Sequence, residues 1–548
     1  MIDPVTLAVF KGRLEQIADV MDITLCRSAF NPIIAEAHDA SHGIYDGETG
    51  ETLVQGKDGL PLFVAVMSFA VQAVIEKAKK DGGPKEGDIW IFNDPYVSGT
   101  HLNDFRLVQP LFRDGKVFCY LASAGHWIDI GGNVPGNYNP IATETFQEGV
   151  LIPLVKLRAE GVLRQDIVDI LMSNTRLAKS AYGDLNGQLN ALELGAQRMH
   201  ALLDEYGDDV CRESLSMLKK SAADIMRSEI SKLPDGKVSA VDWLDNDGIT
   251  DEPIKIALDL TIKGDKLTLD FSKSSPAATG PINMSRPSTI SACYVALKHI
   301  FEDVPANSGV LEPIEFVIDD DSVLAVKAPR PVGGYTEISM RLIDVIFQAI
   351  AKIAPDRSNG CCYGTINALS ASGTDENNKP WVMFCFFGGG HGAHTEGDGL
   401  NHGNAPFSTA TIPPIEILEA SYPIKFTDWA LRPDSGGDGE HRGGLGAVYG
   451  IEMLGEDTDI YLFGERGCFA PKGFEGGKDA AMNQFTYSKD GEMVEPKLKS
   501  KLHGAKLKKG DRLLLKSPGG GGYGDPAKRS QEARKRDLEL GYVTAENT

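Results

Sequence analysis

Three short segments of this chain concentrate side chains that can hold a metal ion. They are Glu36-Ala37-His38-Asp39-Ala40-Ser41-His42, Gly99-Thr100-His101-Leu102-Asn103-Asp104 and Gly125-His126-Trp127-Ile128-Asp129. A histidine and a carboxylate three residues apart can point at one ion from a tight turn, and a second histidine on a neighbouring strand can close the site. Neutral imidazoles with carboxylate oxygens suit zinc, manganese or iron and leave a position open for water or substrate. Such an ion polarises a carbonyl or draws the pKa of bound water down towards ~7. A fourth stretch, Gly388-Gly389-Gly390-His391-Gly392-Ala393-His394 with Glu396 and Asp398, offers two more imidazoles, and reads equally well as a glycine turn with exposed histidines. The eight cysteines include no CxxC pair, and neither a GxSxG elbow nor a recognisable cysteine nucleophile is present, so covalent side-chain catalysis has no support.

The elements that must position these segments follow from patterning. Residues 3–29 read as a helix, with Asp3 as N-cap, Pro4 at the first helical position and Leu7, Phe10, Leu14, Ile17 and Met21 on one stripe. The DGETG stretch, 46–50, turns between two candidate strands, and a core helix spans Leu60–Lys80. Strands at Ile89–Phe92 and Leu107–Phe112 flank the NDPYVSGTHLND loop, and a third, Val117–Ser123, runs into AGHWIDIGG. The metal-competent segments therefore fall at strand ends. Helical spacing dominates 160–232 and returns at 282–305 and 337–353, while IKIALDLTI, KLTLDFS and VLAVKA read as strands. From 360 onward the chain is glycine-rich and strand-dominated, closing on a solvated terminal helix. The expectation is a multi-part α+β architecture with a helical middle and a strand-rich C-terminal half. It divides into 1–158 (the metal-site region), 159–235 (helical), 236–358 (mixed) and 359–548 (glycine-rich).

Composition narrows the function. A formal charge of −22 over 548 residues argues against a nucleic-acid binder, which needs concentrated lysine and arginine. The 60 glycines invite a phosphate-loop reading that the sequence refuses. Gly519–Gly522 is followed by Tyr-Gly-Asp-Pro instead of Lys-Ser/Thr, and 436–446 lacks a GxGxxG register opening a helix. The glycines are expected to serve turns and close backbone contacts, with no ATP or NAD pocket here. The start of the chain lacks a secretory signal pattern, and its most apolar stretch, Leu60–Ile75, carries Pro61, Ser68 and Gln72 and is shorter than the ~20 residues of a membrane span. A soluble, cytoplasmic protein with reduced thiols is expected.

At these motifs the sequence resembles the hydantoinase B/oxoprolinase family. The resemblance rests on Asn93-Asp94-Pro95-Tyr96 followed by Ser98-Gly99-Thr100-His101-Leu102-Asn103-Asp104, on Asp39-Ala40-Ser41 and on Gly125-His126. Later matches are Asp398-Gly399, Pro413 with Glu416, Arg432-Asp434-Ser435-Gly436-Gly437, Gly443-Gly444 and the terminal GYGDP. Ser98-Gly99 departs from the Gly-Gly that often precedes the family's Thr-His. The resemblance implies one subunit of an ATP-dependent enzyme, with ATP and magnesium on a hydantoinase A-type partner in an (αβ)2 heterotetramer. It implies a catalytic divalent ion, zinc first and manganese or iron as alternatives, on Asp39, His101, Asp104 and His126. The Asp-x-Ser context selects Asp39 over Glu36, His38 and His42, with Asp129 or His38 to move protons. The implied reaction is opening of a lactam, hydantoin or oxoproline ring by attack of metal-bound water. A ketone carboxylase subunit using bicarbonate and a scaffold with a structural metal are the rival readings.

Overall fold

The structure, a computed structural model, describes residues 2–375, 379–404 and 406–545. Its N-terminal part is a seven-stranded sheet in the order β2-β1-β5-β4-β3-β6-β7. The strands are β1 (Ala40–Asp46), β2 (Thr52–Gln55), β3 (Ile89–Phe92), β4 (Asp104–Arg113), β5 (Lys116–His126), β6 (Val155–Ala159) and β7 (Val162–Leu163). Period-two alternation sends Ile89, Ile91, Leu107 and Leu121 to one face and Trp90, Phe92, Val108 and Tyr120 to the other. The first face is covered by α1 (Pro4–Ser28) and α6 (Ala178–Tyr206), the second by α3 (Phe63–Lys80). Helix α1 starts where Asp3 accepts hydrogen bonds from the amides of Val5 and Thr6, and it buries Phe10, Leu14, Ile17, Met21 and Leu25. Short turns α2 (Pro32–Ala35) and α4 (Pro95–Ser98) sit beside the strand ends.

The β4–β5 hairpin carries the site. Arg113 pairs with Lys116 across Asp114-Gly115, whose φ values of 49° and 73° make the two-residue turn that matches strand twist. Two pairs from that turn the register shifts by one residue, Phe112 facing Val117 and Leu111 facing Cys119, and beyond this bulge it runs regularly to its far end, where Asp104 lies opposite His126. Strand β1 pairs with the other edge of β5, Ala40 opposite Gly125.

The helical stretch is three helices, α5 (Gln165–Ser173), α6 and α7 (Asp208–Ile230), with Gly207 at φ 82° between the last two. A second sheet, β11-β10-β9-β8, comprises β8 (Gly236–Leu244), β9 (Ile254–Lys263), β10 (Lys266–Asp270) and β11 (Ile314–Val317), with α8 (Arg286–Ile300) and α9 (Tyr335–Ala351) packed into the same core. The expected VLAVKA strand is absent. Val323–Val326 instead make turns in the core and bond irregularly to Ser275 and Met284, while the less apolar Ile314–Val317 pairs in parallel with β10. Apolar content marked burial there, not extension.

The C-terminal half holds two antiparallel sheets, β13-β12-β16-β19 and β14-β15-β20-β17-β18, around a third core cluster. Their strands are β12 (Ala368–Thr374), β13 (Pro380–Cys385), β14 (Ile424–Leu431), β15 (Ala447–Met453), β16 (Thr458–Phe463), β17 (Gln484–Lys489), β18 (Glu492–Val494), β19 (Lys501–Leu507) and β20 (Arg512–Lys516). Helices α10 (Ile415–Ser421) and α11 (Gln531–Glu539) complete the part. The glycine runs form neither phosphate loops nor simple turns. Segments near 360, 390, 440 and 520 lie backbone against backbone, with Gly390 N–H donating to the Pro518 carbonyl at 3.0 Å, Gly444 N–H to His391 at 2.8 Å and Gly520 N–H to Gly444 at 2.9 Å. A Cβ on Gly443 would stand 1.8 Å from the Gly520 oxygen, and one on Gly390 1.9 Å from the Gly444 oxygen. Backbone has nowhere to yield. G443A should therefore lose about 3 kcal/mol in chemical denaturation, at the upper end of overpacking costs. On exposed helix α1, where a Cβ on Gly12 meets nothing within 4 Å, G12A should gain up to about 1 kcal/mol.

Candidate metal centre

Three strand-end segments meet where the hairpin and β1 finish. Asp94 caps α4 by accepting from the Tyr96 amide; the chain then reverses through Gly99 at φ 88° and Thr100 at φ 60° before presenting His101. Asp104 opens β4, His126 closes β5, and Asp39 precedes β1, its carbonyl accepting from His126 N–H at 3.2 Å. Donor atoms of His101, Asp104 and His126 all lie within 4.8 Å of one another. Asp104 Oδ1 stands 3.3 Å from both His101 Nε2 and His126 Nδ1, and Asp39 Oδ2 stands 4.0 Å from His126 Nδ1. The first three side chains are buried, whereas Asp39 keeps 16% of its side-chain surface open.

Support comes from side chains that hold the backbone on either side. Asn31 Nδ2 donates to the His126 carbonyl at 2.7 Å, and Asn103 Nδ2 to the Trp127 carbonyl at 2.7 Å. The imidazoles are walled by aromatics: Tyr335 and Tyr138 at ring distances of 5.0 and 5.5 Å from His101, and Phe384 at 5.2 Å from His126. These come from α9, the loop after β5, and β13, so no local pattern announced them. Burial pushes the Asp39 carboxyl up to about 7, with His126 opposing and Asp104 adding repulsion. Burial also works to raise Asp104, but the charge and hydrogen bonds of His101 and His126 outweigh it and hold that carboxyl well below its usual range.

The residues fit a divalent ion. Asp104 Oδ2 and His126 Nε2 are buried without any hydrogen-bond partner, an uncommon state for polar atoms in an interior. Two imidazoles and two carboxylates are also a donor set that zinc, manganese or iron accepts. The alternatives near Asp39 lie elsewhere. His42 is paired through Nδ1 with Asp22 at 2.7 Å, and Glu36 and His38 line a separate 520 Å³ cavity. Asp129, a possible proton carrier on sequence, is occupied: it accepts from Arg176 Nη1 at 2.9 Å and from the Arg176 amide at 2.8 Å, closing its loop. His391 and His394 border a 280 Å³ cavity with Cys362 and Asp398, but among the described residues their ligand atoms join no metal-spaced group, and Asp398 is held by Arg529 at 2.7 Å. Burial pushes the His391 imidazole down to about 4.

A second convergence, Asp242, Asp344 and Cys361, has ligand spacing but a different purpose. Arg341 and Arg466 each place Nη1 3.3 Å from Asp242 Oδ2, Arg466 also pairs with Asp344, and Lys501 meets Glu465 at 2.5 Å. Guanidinium groups occupy the space a metal would need. The network joins β8, α9 and the segment after β16 across more than 200 residues of sequence separation, so sequence reading missed it. R466M would leave the buried Asp344 carboxylate without its guanidinium partner, Asp242 keeping Arg341, and should cost about 3–5 kcal/mol in chemical denaturation.

The hydantoinase B/oxoprolinase family model matches residues 3–526. Caprolactamase subunit beta of Pseudomonas jessenii is 31% identical over 567 residues, covering 99% of this chain and 94% of that protein. The crystal structure of the ATP-dependent caprolactamase from that organism superposes with TM-score 0.88 at 29% identity, covering 100% of this chain and 95% of that one. The 5-oxoprolinase of Dictyostelium discoideum is 29% identical over 95% of this chain, which spans 40% of that longer protein. A nucleotide-free acetone carboxylase structure shares the fold, with TM-score 0.90 at 19% identity over 99% of this chain and 78% of that one. With the family match running nearly end to end and the caprolactamase subunit covered along almost its whole length, the chain belongs to the hydantoinase B/oxoprolinase family.

Proposed function

We propose that this chain is the metal-binding subunit of an ATP-dependent cyclic amidase that opens a lactam, hydantoin or oxoproline ring. The observation that carries the reading is the convergence of His101, Asp104 and His126, with Asp39 Oδ2 4.0 Å from His126 Nδ1 and with Asp104 Oδ2 and His126 Nε2 buried without a hydrogen-bond partner. The similarity to a caprolactamase subunit beta over almost its full length supports the reaction class and the need for a partner. ATP and magnesium belong on a hydantoinase A-type partner in an (αβ)2 heterotetramer, where phosphorylation of the amide oxygen would make ring opening favourable. No helix of the described chain is long and apolar enough to cross a membrane, and its eight cysteines are unpaired, which suits the reducing cytoplasm.

Asp39, His101, Asp104 and His126 would hold the ion, which when bound supplies Lewis acidity towards water and a carbonyl oxygen. The chain's own groups prepare that chemistry. Asp104 Oδ1, between the two imidazoles, fixes their orientation. Tyr138, Tyr335 and Phe384 keep bulk water from the cluster, so charge there is weakly screened. Asp39 is the most open of the four side chains.

The test uses the subunit co-expressed with its partner. H101A and H126A should each remove the tightly held ion, measured by mass spectrometry, and lower ATP-dependent ring opening well beyond the ~10–100-fold that loss of a supporting group produces. Full turnover in metal-free variants would reduce the ion to a structural element or dismiss it. Running a panel of cyclic amides and ketones in labelled bicarbonate separates the classes: label entering product means a carboxylase, and an opened amide without label means the hydrolase.

A further inference from the structure

Arg106 is a buried cation that no carboxylate neutralises. It lies on β4 two residues beyond Asp104, so both side chains leave the same face of the strand, and it is 0% exposed. The other fully buried arginines, Arg341 and Arg466, meet carboxylates. Arg106 instead spends its terminal nitrogens on uncharged oxygens: Nη1 donates to the Asp104 carbonyl at 2.8 Å, and Nη2 donates to the Gly99 carbonyl at 2.7 Å and to Thr100 Oγ1. Its Nε has no partner. Desolvating a charge without an ion pair is expensive, so the residue is there at a cost to stability.

All three acceptors belong to one turn, the Gly99–Asp104 reversal that presents His101. That turn is strained where it matters. Gly99 has φ 88°, and Thr100, a β-branched residue, is held at φ 60°. Apart from the guanidinium, the Thr100 amide is anchored by donating to Ser288 Oγ on α8 at 2.7 Å. The guanidinium ties the start of the reversal to its end, so His101 cannot move relative to Asp104 unless these bonds break.

We propose that Arg106 is the positioning residue of this centre: it holds the Gly99–Asp104 turn in its ion-binding shape. The inference rests on the reading of His101, Asp104 and His126 as a metal centre. The test loads chelator-stripped enzyme, co-purified with its partner, with Co(II), and reads affinity by chelator competition and coordination by the visible absorption of the bound ion. R106M should weaken Co(II) about 30-fold, within the 10–100-fold range of lost supporting groups, and alter the spectrum. R106K should recover little, because one ammonium cannot span three fixed acceptors. T100V, which removes a single acceptor and keeps the side chain's shape, should weaken binding several-fold, and it reports even if R106M fails to fold. Native affinity and spectrum in folded R106M, or in T100V, would overturn the proposal. If H126A binds Co(II) as the unmodified enzyme does, the metal-centre reading itself fails, a separate result.

Discussion

The antiparallel register of β1, β5 and β4 is the constraint on which the site depends. The Asp114-Gly115 turn starts the β4–β5 ladder, a one-residue bulge at Leu111/Phe112 resets it, and from there each residue of β4 has one partner on β5 until Asp104 meets His126. A slip of one residue would turn both side chains to the other face of the sheet. The alternation of Ile89, Ile91 and Leu107 against Trp90, Phe92 and Val108 prevents that slip, because either error would bury the wrong face against α1 or α3. The geometry of the candidate metal centre is thus secured by hydrophobic packing many residues from His101, Asp104 and His126.

Charge is buried in two places, and the two are handled differently. Around Asp242 and Asp344, arginines and carboxylates neutralise one another, and the network joins elements far apart in sequence. Around Asp104 the neutralisation is incomplete: the acid pair is left with two imidazoles, one unpaired guanidinium and orphaned ligand atoms. A closed ion network holds a fold together, whereas an open one is poised to receive charge. That contrast distinguishes the two ligand-spaced clusters where residue type alone does not.

The glycines belong to the same economy of space. Their backbones approach until a single methyl would overlap a carbonyl oxygen, so the C-terminal glycine runs act as packed walls around β12–β20 instead of ligand loops.

Much of this was legible in the chain. Local signals carried α1, whose Asp3 and Pro4 start it, the β3 strand at Ile89–Phe92, and the run of helices after residue 160, because capping and periodicity act within a few turns. The convergence of His101, Asp104 and His126 was legible too, since His101 and Asp104 share one turn and His126 ends the neighbouring strand. Strand ends were not: β4 and β5 run on to Asp104 and His126, past the apolar residues that signalled them, because ladder hydrogen bonds do not require apolar side chains. VLAVKA failed for the complementary reason, burial without extension. By itself the sequence determined which residues could bind an ion and which elements would carry them. Only the tertiary structure decided that Asp129 is spent on Arg176, that Tyr138, Tyr335 and Phe384 wall the cluster, and that Arg106 braces it. Those relations join residues distant in the chain, and contact between them exists only once the sheets and helices have packed.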